Sequence, residues 1–209
     1  VPIYKIPSGE ITNLPYLRHI GRMGRAIIMS TGMATLSDIE LAVNTVKQAG
    51  NDQIILLKCT SSYPADPTDA NIVTIPHLQK AFGVQVGLSD HSMGVGVPCA
   101  AVALGATVIE KHFTLDRSDG GVDSAFSLEP EELTQLVIES HRAWQSRGKV
   151  CYGNLSSSEE ASIQYRRSIY ISEDIKKGET FNEKNLRVVR PGYGVHPKYL
   201  EKLLGRKVN

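Results

Sequence analysis

The chain lacks the features that mark disulfide-framework, nucleic-acid-binding and membrane proteins. Its three cysteines, Cys59, Cys99 and Cys151, are too few and too scattered in 209 residues for a disulfide framework. No block of Lys or Arg is present, and 23 basic residues are balanced by 22 acidic ones, which argues against nucleic-acid binding. Apolar runs such as 100–104 are too short to span a bilayer, and no export signal opens the chain. We therefore expect a cytoplasmic protein with reduced thiols that binds neither nucleic acid nor membranes.

Short apolar segments alternate with longer amphipathic ones, which is the pattern of an α/β protein. The strand candidates are apolar on both faces, as in a parallel sheet that is covered on both sides. They are 3–6, 26–30, 53–59, 84–88 and 107–113. Helices are predicted between and after them, at 36–49, 95–104 and 129–147. The first of these has Thr35 as its N-cap and Asp38 three residues further on.

The spacing of the strands favours a barrel or a doubly wound sheet. Strand starts lie about 23 to 31 residues apart, the length of one βα unit. Five such units occupy about 147 residues, whereas a complete (β/α)8 barrel needs about 250. A barrel would therefore be present only as its C-terminal part. The composition changes after Arg147, so we predict a first domain at 1–147, a linker at 148–164 and a small, incomplete β-rich domain at 165–209.

Polar residues lie at or just beyond the carboxyl ends of all five predicted strands. The groups are 8–10, 30–32, 59–63, 89–91 and 110–112. Active sites of parallel α/β sheets and barrels form at this edge, so we expect the chemistry there.

Two histidines on neighbouring strands are candidate metal ligands. Residues i and i+2 of a strand share a face, so Ser89 lies with His91 and Glu110 lies with His112. If these faces point inward, two imidazoles converge, a donor set that suits Mn, Zn, Fe or Co with carboxylate or water in the remaining positions. The separation of about 21 residues matches no compact metal motif. The alternative that His112 is an ordinary strand histidine therefore stays open.

Two lysines, Lys5 and Lys111, lie within otherwise apolar strands, where an unpaired charge is costly. One interpretation is a pocket for phosphate or carboxylate, formed with the hydroxyls of Ser8, Ser61 and Ser89. The other, for Lys111, is an outward salt bridge.

Two further residues are interpreted in simpler terms. The loop 116–123 is either a solvated turn or a lid that brings Asp123 to the site. Cys59 is interpreted as apolar filling of its strand, because no base is evident beside it.

Taken together, these residues resemble the sialic acid synthase family, whose members make nonulosonic acids. The matching stretches are Lys-Ile-Pro-Ser-Gly-Glu (5–10), Ser-Thr-Gly-Met (30–33), Cys-Thr-Ser-Ser-Tyr-Pro (59–64), Gly-Leu-Ser-Asp-His (87–91), Val-Ala-Leu-Gly-Ala (102–106), Ile-Glu-Lys-His-Phe-Thr (109–114), Asp-Ile-Lys-Lys-Gly-Glu (174–179) and Val-Arg-Pro-Gly (189–192). The resemblance implies a TIM barrel followed by an antifreeze-like (SAF) domain, with both apparently truncated here. It also implies a domain-swapped homodimer for a full-length chain, and low or no activity for this one.

The resemblance implies a reaction as well. Family members condense phosphoenolpyruvate with an N-acylated amino sugar such as N-acetylmannosamine, and they release phosphate. A divalent metal, usually Mn²⁺, is held by two histidines that match His91 and His112, and it acts as a Lewis acid on the sugar aldehyde.

The same resemblance implies roles for individual residues. Lys5 and Glu10 match catalytic positions, and Lys5 also matches a phosphoenolpyruvate-binding one. The other substrate-binding positions are matched by Ser8, Ser61, Tyr63, Ser89, Asp123 and Arg190. Among these, Tyr63 and Asp123 match contacts to sugar hydroxyls, and Arg190 matches an arginine that the partner subunit places over the N-acyl group. Ser61 stands where many members have Asn.

Alternative functions stay open at this point. The motif Lys-Ile-Pro-Ser-Gly-Glu (5–10) favours N-acetylneuraminate as the product, whereas 59–64 and 115–128 are also similar to the pseudaminic and legionaminic acid synthases, which use 6-deoxy diamino sugars. A non-catalytic module that binds sugar phosphates is a second class. A different metal-dependent barrel aldolase is a third, although it would not explain the SAF-like segment.

Overall fold

The computed structural model describes residues 1–153 and 156–209. The chain divides into two compact units, Val1–Gly148 and Lys149–Asn209, and each is described by itself. Residues 154 and 155, which fall in the predicted linker, lie outside the described residues. No helix in the described part of the chain is long and apolar enough to cross a membrane.

The first unit is a five-stranded parallel sheet whose strands follow one another in chain order. The strands are β1 (Ile3–Ile6), β2 (Ala26–Ser30), β3 (Ile54–Cys59), β4 (Gln85–Asp90) and β5 (Ile109–Lys111). The helices are α1 (Leu14–Arg22), α2 (Leu36–Gln48), α3 (Thr74–Phe82), α4 (Gly96–Ala103) and α5 (Pro130–Ser146). Sequential parallel strands joined by helical crossovers are the arrangement of consecutive units of a (β/α)8 barrel.

The core lies between one face of this sheet and the helices. Ile27, Met29 and Leu56 alternate along the strands and are fully buried against Val43 of α2 and Ile75 of α3. Branched and aliphatic side chains of this kind fill a sheet-on-helix interface, and their burial supplies the main stabilisation of the unit. The other face of the sheet is left for the polar residues at its carboxyl edge.

Local sequence signals set the helix boundaries. The predicted cap of α2 is confirmed: Thr35 Oγ1 accepts a hydrogen bond from the Asp38 N–H at 3.2 Å, and the Asp38 carboxylate accepts one from the Thr35 N–H at 2.9 Å. In the same way α5 begins with a capping box between Glu129 and Glu132. Gly83 ends α3 in the left-handed region at φ 64°, which glycine adopts without steric cost.

The fifth strand is shorter than the sequence predicts. The range 107–113 is apolar enough for a strand, but the parallel ladder ends at Lys111. The chain then pairs with its own returning loop, because the Leu128 N–H donates to the His112 carbonyl and the Thr114 N–H donates to the Leu128 carbonyl. The loop 112–128 is therefore closed at its base, directly beyond the sheet edge.

The second unit contains a two-stranded antiparallel sheet, β6 (Ser168–Ile171) and β7 (Leu186–Val189). Two short helices, α6 (Ser157–Glu160) and α7 (Leu200–Leu203), belong to the same unit. Ile169 and Leu186 are buried in its small core. Further antiparallel bridges join Ile169 to Val195 and Thr180 to Lys207.

Candidate active site

The strand register brings polar residues from all five strands to one face of the sheet. Lys5 pairs with Ile28, two residues before Ser30, so Lys5 and Ser30 share a face. Ser30 pairs with Leu57, two residues before Cys59; Cys59 pairs with Ser89, and Ser89 with Glu110. The predicted active-site edge is therefore one continuous row of side chains opposite the apolar core.

This row forms the floor of a cavity of about 360 Å³, a size that suits a small polar substrate. Seven of the residues singled out from the sequence line it: Lys5, Ser8, Ser61, Tyr63, Ser89, His91 and His112. The lining also includes Glu110, which strand alternation places with His112, and Cys59, which was interpreted as filling of its strand. Four further residues to which the sequence analysis assigned no individual role complete it: Pro7, Gly9, Ser30 and Met33.

A lysine and a glutamate form the charged centre of the floor. Lys5 Nζ donates to Ser30 Oγ at 2.9 Å and lies 3.3 Å from Glu110 Oε2. The other oxygen of Glu110 accepts a hydrogen bond from Ser89 Oγ at 2.7 Å. Strand alternation predicts that Glu110 lies on this face. Its pairing with Lys5 could not be predicted, because the spacing of residues along the chain does not show that the first strand lies near the fifth.

Two serine hydroxyls and a glycine form a cradle beside this charged centre. Ser8 Oγ accepts a hydrogen bond from the Gly32 N–H at 3.0 Å. A Cβ on Gly32 would lie 2.2 Å from Ser61 Oγ and 2.8 Å from Ser8 Oγ. Gly32 is therefore required for close approach rather than for an unusual φ, and its absent side chain leaves the two hydroxyls at the cavity wall.

Cys59 is more than filling of its strand. It is buried, it lines the cavity, and its Sγ lies 3.9 Å from Ser61 Oγ. Burial raises the pKa of the thiol, but hydrogen bonds with His91, Ser8, Ser89 and Ser61 outweigh it and lower the pKa to about 7. The expectation that no base lies beside Cys59 is wrong, because His91 arrives from the neighbouring strand.

The two predicted metal ligands meet at one end of the cavity, with ring centroids 5.2 Å apart. His91 Nδ1 lies 2.8 Å from the Thr60 carbonyl oxygen, and His112 Nδ1 lies 3.4 Å from Asp123 Oδ2. An oxygen partner at Nδ1 leaves Nε2 as the ring nitrogen available to a metal, which is the usual arrangement of metal-binding histidines. Burial disfavours the imidazolium of His91, yet the contacts with Cys59 and the Thr60 carbonyl raise its pKa overall.

These donors fit a divalent metal held by two imidazoles, with water or substrate in the remaining positions. Within residues 1–153 and 156–209, no group of three or more His, Cys, Asp and Glu side chains is placed to hold a metal.

Aromatic rings cover the histidine end of the cavity. The Tyr63 ring lies 4.2 Å from that of His91, and the Phe126 ring lies 5.1 Å from that of His112. Desolvation, together with the negative charges of Cys59, Asp123 and Glu110, raises the pKa of Tyr63. Its hydroxyl can therefore serve as a hydrogen-bond donor at neutral pH. Phe126 was missed by the sequence analysis. The sequence signal that could have indicated it is its position, three residues after Asp123 in the same loop.

The remaining predicted site residues lie outside the cavity lining. Asp123 reaches the site through His112, 3.4 Å away, while its side chain stays partly exposed. Glu10 lies in a short 3-10 turn, where its carboxylate accepts a hydrogen bond from Asn13 Nδ2 at 2.8 Å. Arg190 belongs to the second unit, where its guanidinium lies 6.0 Å from the Tyr165 ring centroid.

Lys111 does not join the anion pocket but forms the salt bridge that the other interpretation predicts, on the outward face of the sheet, where it is buried rather than solvated. Its ammonium lies 2.7 Å from Asp90 Oδ2, and each side chain is only 4% exposed. Because Lys111 stands between Glu110 and His112, alternation turns it to the face opposite the cavity.

Comparison with known proteins identifies the family. The model of the NeuB family matches residues 1–152, and that of the SAF domain matches residues 166–209. The chain belongs to the NeuB family, and the prediction of part of a TIM barrel followed by a SAF domain is confirmed.

Two named relatives of the chain are synthases of nonulosonic acids. It is 45% identical over 98% of its length to the N,N'-diacetyllegionaminic acid synthase of Campylobacter jejuni serotype O:2, and 43% identical over 99% to the pseudaminic acid synthase of C. jejuni serotype O:23/36. It spans 62% and 60% of those two proteins. The crystal structure of N-acetylneuraminic acid (sialic acid) synthetase from Leptospira borgpetersenii, in complex with citrate, matches 79% of the chain and 57% of its own, with 41% identity and a TM-score of 0.72.

Proposed function

We propose that the cavity at the sheet edge condenses phosphoenolpyruvate with an N-acylated amino sugar and releases phosphate. The observation that carries the proposal is the convergence of Lys5, a row of serine hydroxyls and two histidines in one cavity of about 360 Å³. A lysine with several hydroxyls suits a phosphate and a carboxylate, and paired imidazoles suit a metal that binds carbonyl oxygen.

The residues of the floor would bind and orient phosphoenolpyruvate. Ser8 and Ser61 flank Gly32 and offer hydroxyl donors to the phosphate, while Lys5 exchanges part of its contact with Glu110 for an anionic oxygen of the substrate. Ser89 fixes the Glu110 carboxylate beside it. Glu10 stands on the turn that follows β1, and we propose that it moves a proton during the reaction.

The histidine end would bind the acceptor sugar. His91 and His112 would hold a divalent metal, probed first as Mn²⁺, and the bound metal would supply Lewis-acid activation of the sugar aldehyde. Tyr63 and Asp123 would orient the sugar hydroxyls, since both lie against the histidines. In the overall reaction carbon 3 of phosphoenolpyruvate bonds to the aldehyde carbon, water adds at carbon 2, and phosphate leaves.

There are two candidates for the acceptor sugar. N-acetylmannosamine, giving N-acetylneuraminate, remains our proposal from the motif at 5–10 and agrees with the solved synthetase that the chain matches at 41% identity. A 6-deoxy diamino sugar is the second candidate, because relatives at 45% and 43% identity are named legionaminic and pseudaminic acid synthases.

Assembly is proposed on the same basis. A homodimer in which the SAF domain of one chain reaches the barrel of the other would bring Arg190 to the N-acyl group of the partner's sugar. Cytoplasmic location and the lack of nucleic-acid and membrane partners stay predictions.

Release of phosphate from phosphoenolpyruvate tests the function. The assay uses the 209-residue chain and, where the natural protein is longer, the natural protein, each with Mn²⁺ or with EDTA. The sugar panel contains N-acetylmannosamine and its 6-deoxy diamino relatives. Mn²⁺-dependent release with one sugar, lost in the His91→Ala/His112→Ala variant, would establish both reaction and acceptor. A natural protein that releases no phosphate but binds phosphoenolpyruvate equally well with and without those histidines would be a non-catalytic binding module.

A further inference from the structure

A buried ion pair lies directly behind the two histidines. Lys111 Nζ donates to Asp90 Oδ2 at 2.7 Å and also to the Ser92 carbonyl oxygen. The other oxygen of Asp90 accepts from the Ser92 N–H at 3.0 Å and from Ser92 Oγ at 2.8 Å. Both charged side chains are 4% exposed, so the pair is enclosed between the sheet and its helical layer rather than solvated. We call Asp90, Ser92 and Lys111 the clamp.

The clamp occupies the last rung of a very short ladder. β4 and β5 share three residue pairs, and the final one is Asp90 with Lys111. The residue that directly follows each strand is a histidine, His91 after β4 and His112 after β5. From there the backbones part, because the His91 carbonyl accepts from Ala65 and the His112 carbonyl accepts from Leu128. The separation of the histidines therefore depends on how firmly this last rung is held.

Stability alone does not account for a charged pair in this position. Removing two charges from water costs so much that an apolar pair of similar size is generally as stabilising or more so. What the charged pair adds is a fixed distance and direction, since one ammonium is bonded both to the neighbouring strand and to the turn that follows it. Ser89 and Glu110 supply a matching link on the cavity face of the rung before it.

We propose that the clamp positions His91 and His112 for metal binding. Asp90, Ser92 and Lys111 touch neither metal nor substrate in this arrangement; they are positioning residues that act through the backbone of the residues beside them. The inference rests on the proposed function, because it assigns a purpose to the separation of the two histidines.

The decisive variant replaces both charges at once, as Asp90→Asn/Lys111→Met. The introduced amide oxygen can still accept from Ser92, whereas the cross-strand link is removed and no unpaired charge is buried. The matched control is Glu139→Gln/Arg142→Met, which makes the same charge changes at an exposed ion pair on α5. Three properties are measured: the thermal midpoint, the Mn²⁺ affinity by electron paramagnetic resonance of free Mn²⁺, and the ring ¹⁵N shifts of the histidines in metal-free protein at a pH where they are neutral.

If the clamp positions the histidines, the double variant should change Mn²⁺ affinity and the histidine ring shifts but leave the thermal midpoint nearly unchanged. The double variant should melt close to the wild type but bind Mn²⁺ at least about tenfold more weakly, the usual consequence of losing a group that orients metal ligands. Its His91 ring should also lose the single Nδ1–H tautomer that the contact with Thr60 enforces. The control should match the wild type in all three.

Two outcomes overturn the inference: wild-type Mn²⁺ affinity in the double variant, or ring shifts that do not change. If the wild type itself binds no Mn²⁺, the metal part of the proposed function fails, and the ring shifts alone decide on the clamp. Should the double variant not fold, Asp90→Thr/Lys111→Leu takes its place, since threonine keeps an acceptor for Ser92 and leucine fills the space of the lysine stem without a charge.

Discussion

The substitution Gly32→Ala tests the cradle by adding a single methyl group. Its Cβ would lie 2.2 Å from Ser61 Oγ, 2.8 Å from Ser8 Oγ and 3.2 Å from Cys59 Sγ. Ordinary contact begins near 3.4 Å, so the Ser61 hydroxyl must move by at least about 1 Å. Both hydroxyls end flexible side chains, so they can rotate away, and we expect the protein to stay folded with a stability loss of no more than about 1–3 kcal/mol.

We expect a larger effect of Gly32→Ala on the binding of phosphoenolpyruvate than on stability. A hydrogen bond to a charged group contributes about 1.5–3 kcal/mol, so displacing two hydroxyls from the phosphate removes about 3 kcal/mol or more. That corresponds to an affinity about a hundredfold lower, measured as the Kd of phosphoenolpyruvate by isothermal titration calorimetry.

Gly96→Ala is the matched control for this substitution. Nothing lies within 4 Å of a Cβ at Gly96, which begins α4, so the same methyl group is added without a clash. Its Kd should stay within twofold of the wild type. A Gly32→Ala protein that is folded and binds phosphoenolpyruvate within threefold of the wild type would show that Ser8 and Ser61 do not hold the phosphate.

Two further predictions concern the cap of α2 and the second unit. Hydrogen bonds from the Thr35 hydroxyl and N–H lower the pKa of Asp38, so their stabilisation is present above the carboxyl's unfolded pKa and is lost as the pH falls through the lowered folded value. Asp38→Asn should therefore lower Tm at neutral pH, and the difference should vanish in acid; Asp52→Asn, at an exposed loop carboxylate, is the control in the same calorimetric scans. A difference that persists in acid would mean that the charge of Asp38 is not what matters. For Arg190, co-expression of Arg190→Ala and His91→Ala chains of the natural protein should restore about a quarter of wild-type phosphate release, because a mixed dimer of the proposed kind would hold one intact site. Restoration of none would argue that Arg190 acts on its own chain.

Much of this architecture can be predicted from local sequence. The alternation of apolar strands and capped helices predicts an α/β unit because each signal, such as Thr35 with Asp38, acts within a few residues. The polar groups at the strand ends predict the active-site edge for a similar reason: parallel strands all end at one side of the sheet. Strand alternation alone placed Ser89 with His91 and Glu110 with His112, and the structure brings both histidines to one cavity.

Only the tertiary structure decided which of these groups touch one another. The pairing of Lys5 with Glu110 joins the first strand to the fifth, and the contact of Cys59 with His91 depends on the register of β3 against β4. The burial of Lys111 with Asp90 could not be read from the sequence, because alternation gives the face on which Lys111 lies but only the neighbouring strand supplies its partner. Local sequence determines the helices and strands and the sheet edge at which the active-site residues lie. Strand register and packing determine which of these residues contact one another, because residues far apart in the chain come within contact distance only when it is folded.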